Sequence, residues 1–373
     1  MAGIYIHIPF CKKACHYCNF HFSTQLKNIP STIAAIEQEL FLQKDYLANQ
    51  VVETIYFGGG TPSLLELSYI NSLLESINKH YHLADDLEIT LEANPDDIST
   101  AVLQAWQLAG INRISLGVQS LDEKELEWMN RAHHASQSLE SIMLIPSYFQ
   151  NYSIDFIYGS PLLNHQAWER TLEFVLSKSV PHLSCYALTV EPKTALAKLI
   201  SKEKRLPINN EHQAIQFETL IAFTAKYGYE QYEISNFCKS GFESRHNSNY
   251  WSGNHYLGVG PAAHSFNKTS RQWNISNNAL YIKAIAENTV PFEKETLSPI
   301  QQLNEYIMTS LRTAKGISLL KINEDWGEHK KTSLLQQSKK YLESGYMLEK
   351  NNYLILTTSG KLAADGIAAA LFF

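Results

Sequence analysis

The sequence has 373 residues, of which 45% are hydrophobic and 18% are charged. This composition is typical of a globular protein with a sizeable core, and it excludes a disordered chain. The formal net charge is −6, from 31 Lys and Arg against 37 Asp and Glu, so it gives no general affinity for nucleic acid, and we predict no nucleic-acid partner.

Neither end of the sequence carries a recognisable targeting or membrane pattern. The first ten residues have no basic region before their apolar stretch, and the apolar run 367–373 is too short to span a bilayer. Five cysteines, three of them clustered, fit a reducing compartment better than a secreted scaffold. We therefore expect a cytoplasmic protein with no membrane span.

Strand-like runs alternate with helical patterns from residue 3 to about residue 187. Six short runs rich in Ile, Leu, Tyr or Val are the strand candidates: 3–8, 52–57, 87–92, 112–118, 153–158 and 182–188. Because parallel neighbours need a crossover helix, this alternation predicts an α/β fold with a parallel sheet. Unusual polar or glycine residues follow nearly every run, which favours the rim of a (β/α) barrel over an open doubly wound sheet.

The pattern changes after residue 190. One long helix is predicted over 210–227, and a stretch rich in Tyr, Asn and His follows it. From residue 298, helical runs and a hairpin turn at Asn351 and Asn352 predict a small winged-helix-like unit. We expect three regions: a barrel over 1–230, a connecting segment over 231–297 and a C-terminal domain over 298–373.

The cysteine spacing is the most specific local signal. Cys11, Cys15 and Cys18 form a C-x3-C-x2-C pattern, and only Cys185 and Cys238 occur elsewhere. A disulfide framework needs pairs, and a structural zinc site needs four ligands. Three thiolates can instead hold three irons of a [4Fe–4S] cluster and leave the fourth iron open to a small ligand.

A zinc site is the alternative interpretation of the same loop. It would need a fourth ligand from a nearby histidine, His7, His16 or His21. Zinc knuckles usually use C-x2-C pairs, so the spacing favours the cluster.

Five segments in order resemble the radical S-adenosylmethionine (SAM) superfamily: "YIHIPFCKKACHYC", "YFGGGTPSLL", "LEANPD", "GVQSLD" and "DFIYGSP". The similarity extends over essentially the whole chain and is greatest to the HemN/HemW branch, which contains oxygen-independent coproporphyrinogen dehydrogenases and haem chaperones. The resemblance implies a partial (β/α)6 TIM-like barrel with a small C-terminal domain. It also implies that the amino and carboxylate groups of SAM chelate the open iron.

The same resemblance implies a set of SAM-binding residues. They are Tyr5, Tyr17, Gly59, Gly60, Thr61, Glu92, Gln119, Arg131, Asp155 and Ala187. The chemistry is suitable, because carboxylates accept hydrogen bonds from ribose or ammonium and an arginine pairs with a carboxylate.

Three features favour the haem-chaperone side of the branch. The dehydrogenases carry a fourth cysteine two residues after the third, where this chain has Phe20. They also have a long N-terminal extension, whereas ten residues precede Cys11 here. Residues 246–251, "HNSNYW", match the HNxxYW motif of HemW-type haem chaperones.

The HNxxYW motif is suited to haem. A neutral His246 is a common kind of axial ligand, and Tyr250 and Trp251 offer flat apolar surface for a porphyrin. The alternative is a structural loop with a hydrogen-bonded histidine. Because His246 follows the last predicted barrel strand, we expect it to act independently of the SAM residues.

The resemblance predicts a protein that binds a [4Fe–4S] cluster, SAM and haem and passes haem to an acceptor protein whose identity it does not indicate. Two enzymatic alternatives stay open: radical decarboxylation of coproporphyrinogen III, and a radical SAM methylase of the same branch. The oligomeric state is not predicted.

Overall fold

The computed structural model describes residues 2–373. Its strands are β1 (Ala2–Ile8), β2 (Val52–Gly59), β3 (Leu83–Ala93), β4 (Arg113–Gln119), β5 (Tyr152–Tyr158), β6 (His182–Ala187), β7 (Glu230–Gln231), β8 (Asn236–Cys238), β9 (His255–Val259), β10 (His264–Phe266), β11 (Ser270–Asn274), β12 (Phe292–Thr296), β13 (Ile317–Ser318), β14 (Met347–Lys350) and β15 (Tyr353–Leu356).

The α-helices of the same residues are α1 (Ile29–Leu42), α2 (Leu67–His80), α3 (Thr100–Leu108), α4 (Glu123–Met129), α5 (Ala135–Leu144), α6 (His165–Ser177), α7 (Ala195–Ser201), α8 (Asn210–Lys226), α9 (Arg245–Trp251), α10 (Asn278–Ala286), α11 (Pro299–Leu311), α12 (Leu319–Trp326), α13 (Glu328–Glu343), α14 (Thr358–Leu362) and α15 (Ala364–Ala370). None of the helices within residues 2–373 is both long enough and apolar enough to cross a membrane.

Strands β1 to β6 are parallel neighbours in chain order, and helices lie between consecutive strands. The sheet does not close, because β7 and β12 form its two free edges. The predicted partial (β/α)6 barrel is therefore confirmed. All six predicted strands are present, with ends shifted by a few residues.

The segment 231–297 is more than the connector predicted from the sequence. Strand β8 pairs antiparallel with β6, and β9 pairs parallel with β1 on the opposite side of the barrel. Strands β10, β11 and β12 then extend that edge. These strands have five residues or fewer and many polar side chains, so they lack the apolar signal that identified the barrel strands.

Local signals explain where several elements begin and end. The side chain of Ser99 accepts a hydrogen bond from the Val102 amide at the start of α3, and Gly110 follows that helix with a φ of +90°. Helix α1 begins at Ile29, and the hydroxyl of Ser31 in its first turn donates to the Asn28 carbonyl.

The C-terminal unit has an apolar core of its own. Leu303, Ile307, Ile322 and Leu354 are among its buried members, and they come from α11, α12 and the sheet β13–β15–β14. The hairpin turns where predicted, because Asn351 and Asn352 have φ values of 52° and 63°, as a type I′ turn requires. Helices followed by a hairpin agree with the predicted winged-helix-like unit.

A buried carboxylate joins α1 to the added edge of the sheet. Glu39 accepts hydrogen bonds from the Gly260 amide (2.7 Å), from the side-chain amides of Asn274 (2.7 Å) and Gln43 (2.9 Å), and from the Tyr281 hydroxyl. One side chain thus satisfies donors from α1, from the β9–β11 region and from α10.

We predict that Glu39→Ala lowers the free energy of unfolding by about 3 kcal/mol or more, because several buried donors lose their acceptor together. Glu75→Ala, on the exposed face of α2, should change it by less than about 0.5 kcal/mol. Denaturant unfolding of both variants measures the difference. Equal stability of the two would show that Glu39 does not hold this edge in place.

Candidate functional site

A cavity of about 690 Å³ opens at the carboxyl ends of β1 to β6. It brings together every predicted site residue except Trp251: Tyr5, Cys11, Cys15, Tyr17, Cys18, Gly59, Gly60, Thr61, Glu92, Gln119, Arg131, Asp155, Ala187, His246 and Tyr250. The barrel-rim interpretation of the sequence therefore located the cavity correctly.

The period of two along each strand explains why these side chains meet. On β4, Ile114, Leu116 and Val118 are buried in the apolar core, while Arg113 and Gln119 line the cavity. The barrel interior is therefore polar and its exterior is apolar, because the helices cover the outer face.

The cysteine loop follows β1 and is held by backbone contacts. The Cys11 amide donates to the Ser23 carbonyl (3.1 Å), and the Cys18 amide donates to the Cys15 carbonyl (3.4 Å). The three thiols are free and partly exposed. Burial raises the pKa of the Cys11 thiol to about 11, so bound iron would have to supply much of the charge that stabilises the thiolate.

None of the three candidate zinc ligands His7, His16 and His21 lines the cavity that the cysteines line. His7 Nε2 donates to the His21 carbonyl (2.9 Å), and His16 Nδ1 donates to the Trp128 carbonyl (2.9 Å). His21 Nε2 donates to the side-chain oxygen of Asn278 (2.6 Å).

Three thiols without a fourth protein ligand suit a cluster with one open iron. No three His, Cys, Asp or Glu side chains among residues 2–373 converge on a single ion position. A cubane does not require such convergence, because each thiolate binds a different iron. The donor set therefore fits a [4Fe–4S] cluster better than one zinc ion.

The glycine loop after β2 requires glycine. A Cβ at Gly60 would lie 2.5 Å from the Phe10 carbonyl oxygen, and Gly59 has a φ of +104°. The Gly59 amide donates to Glu92 Oε2 (3.2 Å). The backbone thus runs directly beside Phe10, just before the first cysteine, and both glycines line the cavity.

The two predicted carboxylates are buried and differ in their partners. Glu92 accepts from the Tyr56 hydroxyl (2.8 Å), and burial raises its pKa to about 7. Asp155 accepts from the Ser115 hydroxyl (2.8 Å) at Oδ2, while its buried Oδ1 has no partner. Burial also raises the pKa of Asp155. Its unpartnered oxygen is suited to a ligand hydroxyl such as that of a ribose.

Arg131 is held beside the cysteines. Its Nη2 donates to Asn94 Oδ1 (2.7 Å) and to the Gly117 carbonyl (2.8 Å), and its Nη1 lies 3.5 Å from Cys15 Sγ. Its buried Nε has no partner. The guanidinium is thus oriented at the cluster end of the cavity, where it is suited to a ligand carboxylate.

Sequence reasoning missed Tyr56 and Asn94. Both line the cavity. Tyr56 donates a hydrogen bond to Glu92, and Asn94 accepts one from Arg131 and so orients its guanidinium. The alternation along β2 would have identified Tyr56, because Ile55 and Phe57 on either side belong to the apolar core.

His246 lines the same cavity as the predicted SAM residues, so it is not spatially separate from them, as the expectation of independence assumed. Its ring stacks on Tyr56 at 4.9 Å, and Tyr56 in turn binds Glu92. Its Nδ1 lies 2.7 Å from the Thr54 hydroxyl, and its Nε2 lies 3.0 Å from the Tyr250 hydroxyl. Burial lowers the pKa of His246 to about 3, so the imidazole is neutral.

Trp251 is not brought to the cavity. It lies five residues after His246 on α9, and residues five apart do not share a helix face. Its ring instead packs under the Arg312 guanidinium at 5.1 Å. The prediction that Trp251 offers a porphyrin surface therefore needs correction, because the ring faces the C-terminal unit.

Comparison with known proteins finds similar chains over nearly the whole sequence. The Radical SAM superfamily profile matches residues 5–175. The chain is 33% identical to "Heme chaperone HemW" of Bacillus subtilis, over 99% of both chains. It is 30% identical to the protein of that name from Haemophilus influenzae, over 96% of this chain and 95% of the relative. Its fold matches coproporphyrinogen III oxidase (HemN) of Escherichia coli with a TM-score of 0.86 at 21% identity, over 100% of this chain and 90% of that one.

Replacing Cys15 with Ala should abolish assembly of a [4Fe–4S] cluster, because two thiolates would leave two irons open. Iron and sulfide analysis after anaerobic reconstitution measures this. Cys238→Ala is the matched control, since that thiol is buried in β8 away from the cavity, and it should keep the parent's iron content. Full iron content in Cys15→Ala, or zinc in the parent after anaerobic purification, would contradict the assignment.

The pKa of Glu92 predicts a pH dependence of SAM binding. An ionised carboxylate accepts hydrogen bonds better than a protonated one, so affinity should rise with pH as Glu92 ionises. With a pKa of about 7, the ionised fraction rises about eightfold between about pH 6 and pH 7.5, which sets the largest expected gain.

Calorimetry on cluster-loaded protein measures this gain, and Glu92→Gln should bind SAM more weakly and lose the pH dependence. The same pH profile in parent and variant would remove Glu92 from the site.

Proposed function

The chain belongs to the HemW family of the radical SAM superfamily, and from that membership we propose that it binds haem and delivers it to an acceptor protein. The observation that carries this proposal is the 33% identity to a haem chaperone over 99% of both chains. Phe20 supports it: the ring is 64% exposed at the edge of the cavity, where the dehydrogenases of the branch would have a cysteine.

We assign Cys11, Cys15 and Cys18 to a [4Fe–4S] cluster. When bound, the cluster and SAM supply one-electron chemistry. Arg131 holds the SAM carboxylate at the cluster end, and the free Oδ1 of Asp155 accepts from a ribose hydroxyl. Glu92, tied to the Gly59 amide, accepts from the ligand's amino group or ribose.

The remaining SAM assignments follow the same cavity wall. Tyr5, Tyr17, Gly60, Thr61, Gln119 and Ala187 complete the proposed set. Gln119 ends β4 with a φ of 67°. A non-glycine residue in that conformation marks a strained position, and such strain is frequent at binding sites.

We assign His246 and Tyr250 to haem. The imidazole is neutral and can therefore ligate iron. Its Nε2 would exchange the Tyr250 hydroxyl for the metal, and Tyr250 would then be free to contact the porphyrin or a propionate. Since His246 is buried below Glu92, haem would have to reach it through the cavity that holds SAM. Haem and SAM should therefore influence each other's binding.

The acceptor is a haem-binding protein whose identity the chain does not reveal. We propose that delivery takes place in the cytoplasm. All five cysteines are free thiols, and an iron–sulfur site with free thiols is best preserved in a reducing compartment.

His246→Ala should lower haem affinity at least about tenfold and shift the Soret band, because the iron loses an axial ligand. Haem titration followed by absorbance measures both effects. Iron–sulfur content should persist, whereas SAM affinity should change as well, because the ring supports Tyr56 and through it Glu92. His329→Ala, on the exposed surface of α13, is the control and should resemble the parent.

Unchanged haem affinity and spectrum in His246→Ala would assign the iron to another residue. The enzymatic alternative has its own test, in which reduced, cluster-loaded protein is incubated with coproporphyrinogen III and SAM. Formation of protoporphyrinogen IX over many turnovers would replace the chaperone proposal with the decarboxylase one.

A further inference from the structure

Arg113 is the buried cation that the proposed SAM and haem contacts leave unused. It begins β4, is 2% exposed and lines the same cavity as the cysteines. None of the salt bridges within residues 2–373 includes it. Its buried Nε has no hydrogen-bond partner.

A buried guanidinium without an anion is energetically unfavourable. The effective penalty for taking one charge out of water is several kcal/mol, and a partner charge normally offsets it. Asp155 on the neighbouring strand is close enough for Arg113 to lower its pKa, but burial outweighs that effect and the pKa of Asp155 is raised. The two side chains form no salt bridge, so Arg113 keeps donors available.

Arg113 and Arg131 lie at different levels of the cavity. Arg131 lies beside Cys15 at the rim. Arg131 donates to the Gly117 carbonyl, and Gly117 is four residues after Arg113 on β4, so the two levels are about 13 Å apart along the strand. The walls around this lower level include the hydrogen-bonding side chains of Ser153, His182 and Ser184. The floor of the cavity thus offers one cation among polar groups, with Asp155 as a nearby carboxyl group that forms no salt bridge with it.

We propose that Arg113 binds a carboxylate group of a ligand that reaches the floor of the cavity. A planar guanidinium pairs with a carboxylate through two parallel hydrogen bonds, and it does so most strongly where water is excluded. Haem carries such a group in each of its propionates, and the proposed ligation by His246 brings haem into this cavity. The methionyl carboxylate of SAM is already assigned to Arg131 and the cluster at the rim. The inference rests on the proposed function, because it takes its ligand from there.

The test compares each ligand with a relative that lacks the carboxylate. Haem is compared with haem dimethyl ester, and SAM with decarboxylated SAM, on cluster-loaded parent and Arg113→Gln. If Arg113 holds a propionate, the variant should bind haem at least about tenfold more weakly and bind the ester as the parent does. SAM and decarboxylated SAM are the control pair: Arg113→Gln should bind each as the parent does, because Arg131 and the cluster hold the methionyl carboxylate. A loss of affinity confined to haem supports the proposal, whereas a loss confined to SAM would overturn it.

The thermal unfolding midpoint is a second measurement, because a purely structural role of Arg113 would make its replacement destabilising. Arg113→Met removes an uncompensated buried charge, so its thermal unfolding midpoint should equal or exceed that of the parent. Arg170→Gln, on the exposed surface of α6, is the control and should leave the affinity for every ligand unchanged.

The proposal is overturned if Arg113→Gln binds all four ligands as the parent does. It is also overturned if the variant loses the same affinity for each ligand with and without its carboxylate, because Arg113 would then only balance Asp155. A parent that binds no haem would overturn the proposed function and the propionate assignment together. If the parent binds haem and Arg113→Gln binds it with the same affinity, the Arg113 proposal alone is overturned.

Discussion

The alternation of side chains along six parallel strands is the constraint on which the site depends. Outward residues such as Ile4, Ile6 and Ile8 on β1 are fully buried in the core, whereas Tyr5 between them lines the cavity. A shift of one residue in any strand would place its polar set in the apolar core. The strand register that buries the apolar residues therefore also places the ligand-binding side chains in the cavity.

The polar interior also connects the two halves of the proposed function. Glu92 at the rim binds Tyr56, Tyr56 stacks on His246, and His246 contacts Tyr250. Helix α9 contacts β1 and β2, so the HNxxYW motif forms part of the barrel and not a separate haem domain. A ligand that moves Glu92 or Tyr56 must therefore change the surroundings of His246. This link offers a physical route by which SAM could control haem binding without any covalent step.

The barrel and its rim were predictable because parallel strands are apolar runs and the motifs follow them. The strand extension at 231–297 was not predictable from the sequence. Its short strands are stabilised by pairing that extends from β1 and β6, and they contain few apolar residues in alternation. Trp251 was misplaced because residues 245–251 form a helix, and Trp251, five residues after His246, lies on a different face of that helix. Arg113 gave no sequence signal, since an arginine at the start of a strand is usually solvated.

The central claim is that this chain carries haem to another protein, and transfer itself tests it most directly. Haem-loaded, cluster-loaded protein is mixed with the apo form of a haem-binding acceptor, the two are separated, and the Soret absorbance of each is followed with time. A parallel reaction with a haem scavenger gives the rate of spontaneous haem loss. The account predicts that the acceptor gains haem faster than the scavenger does. Equal rates would show release into solution without delivery, and they would contradict the claim.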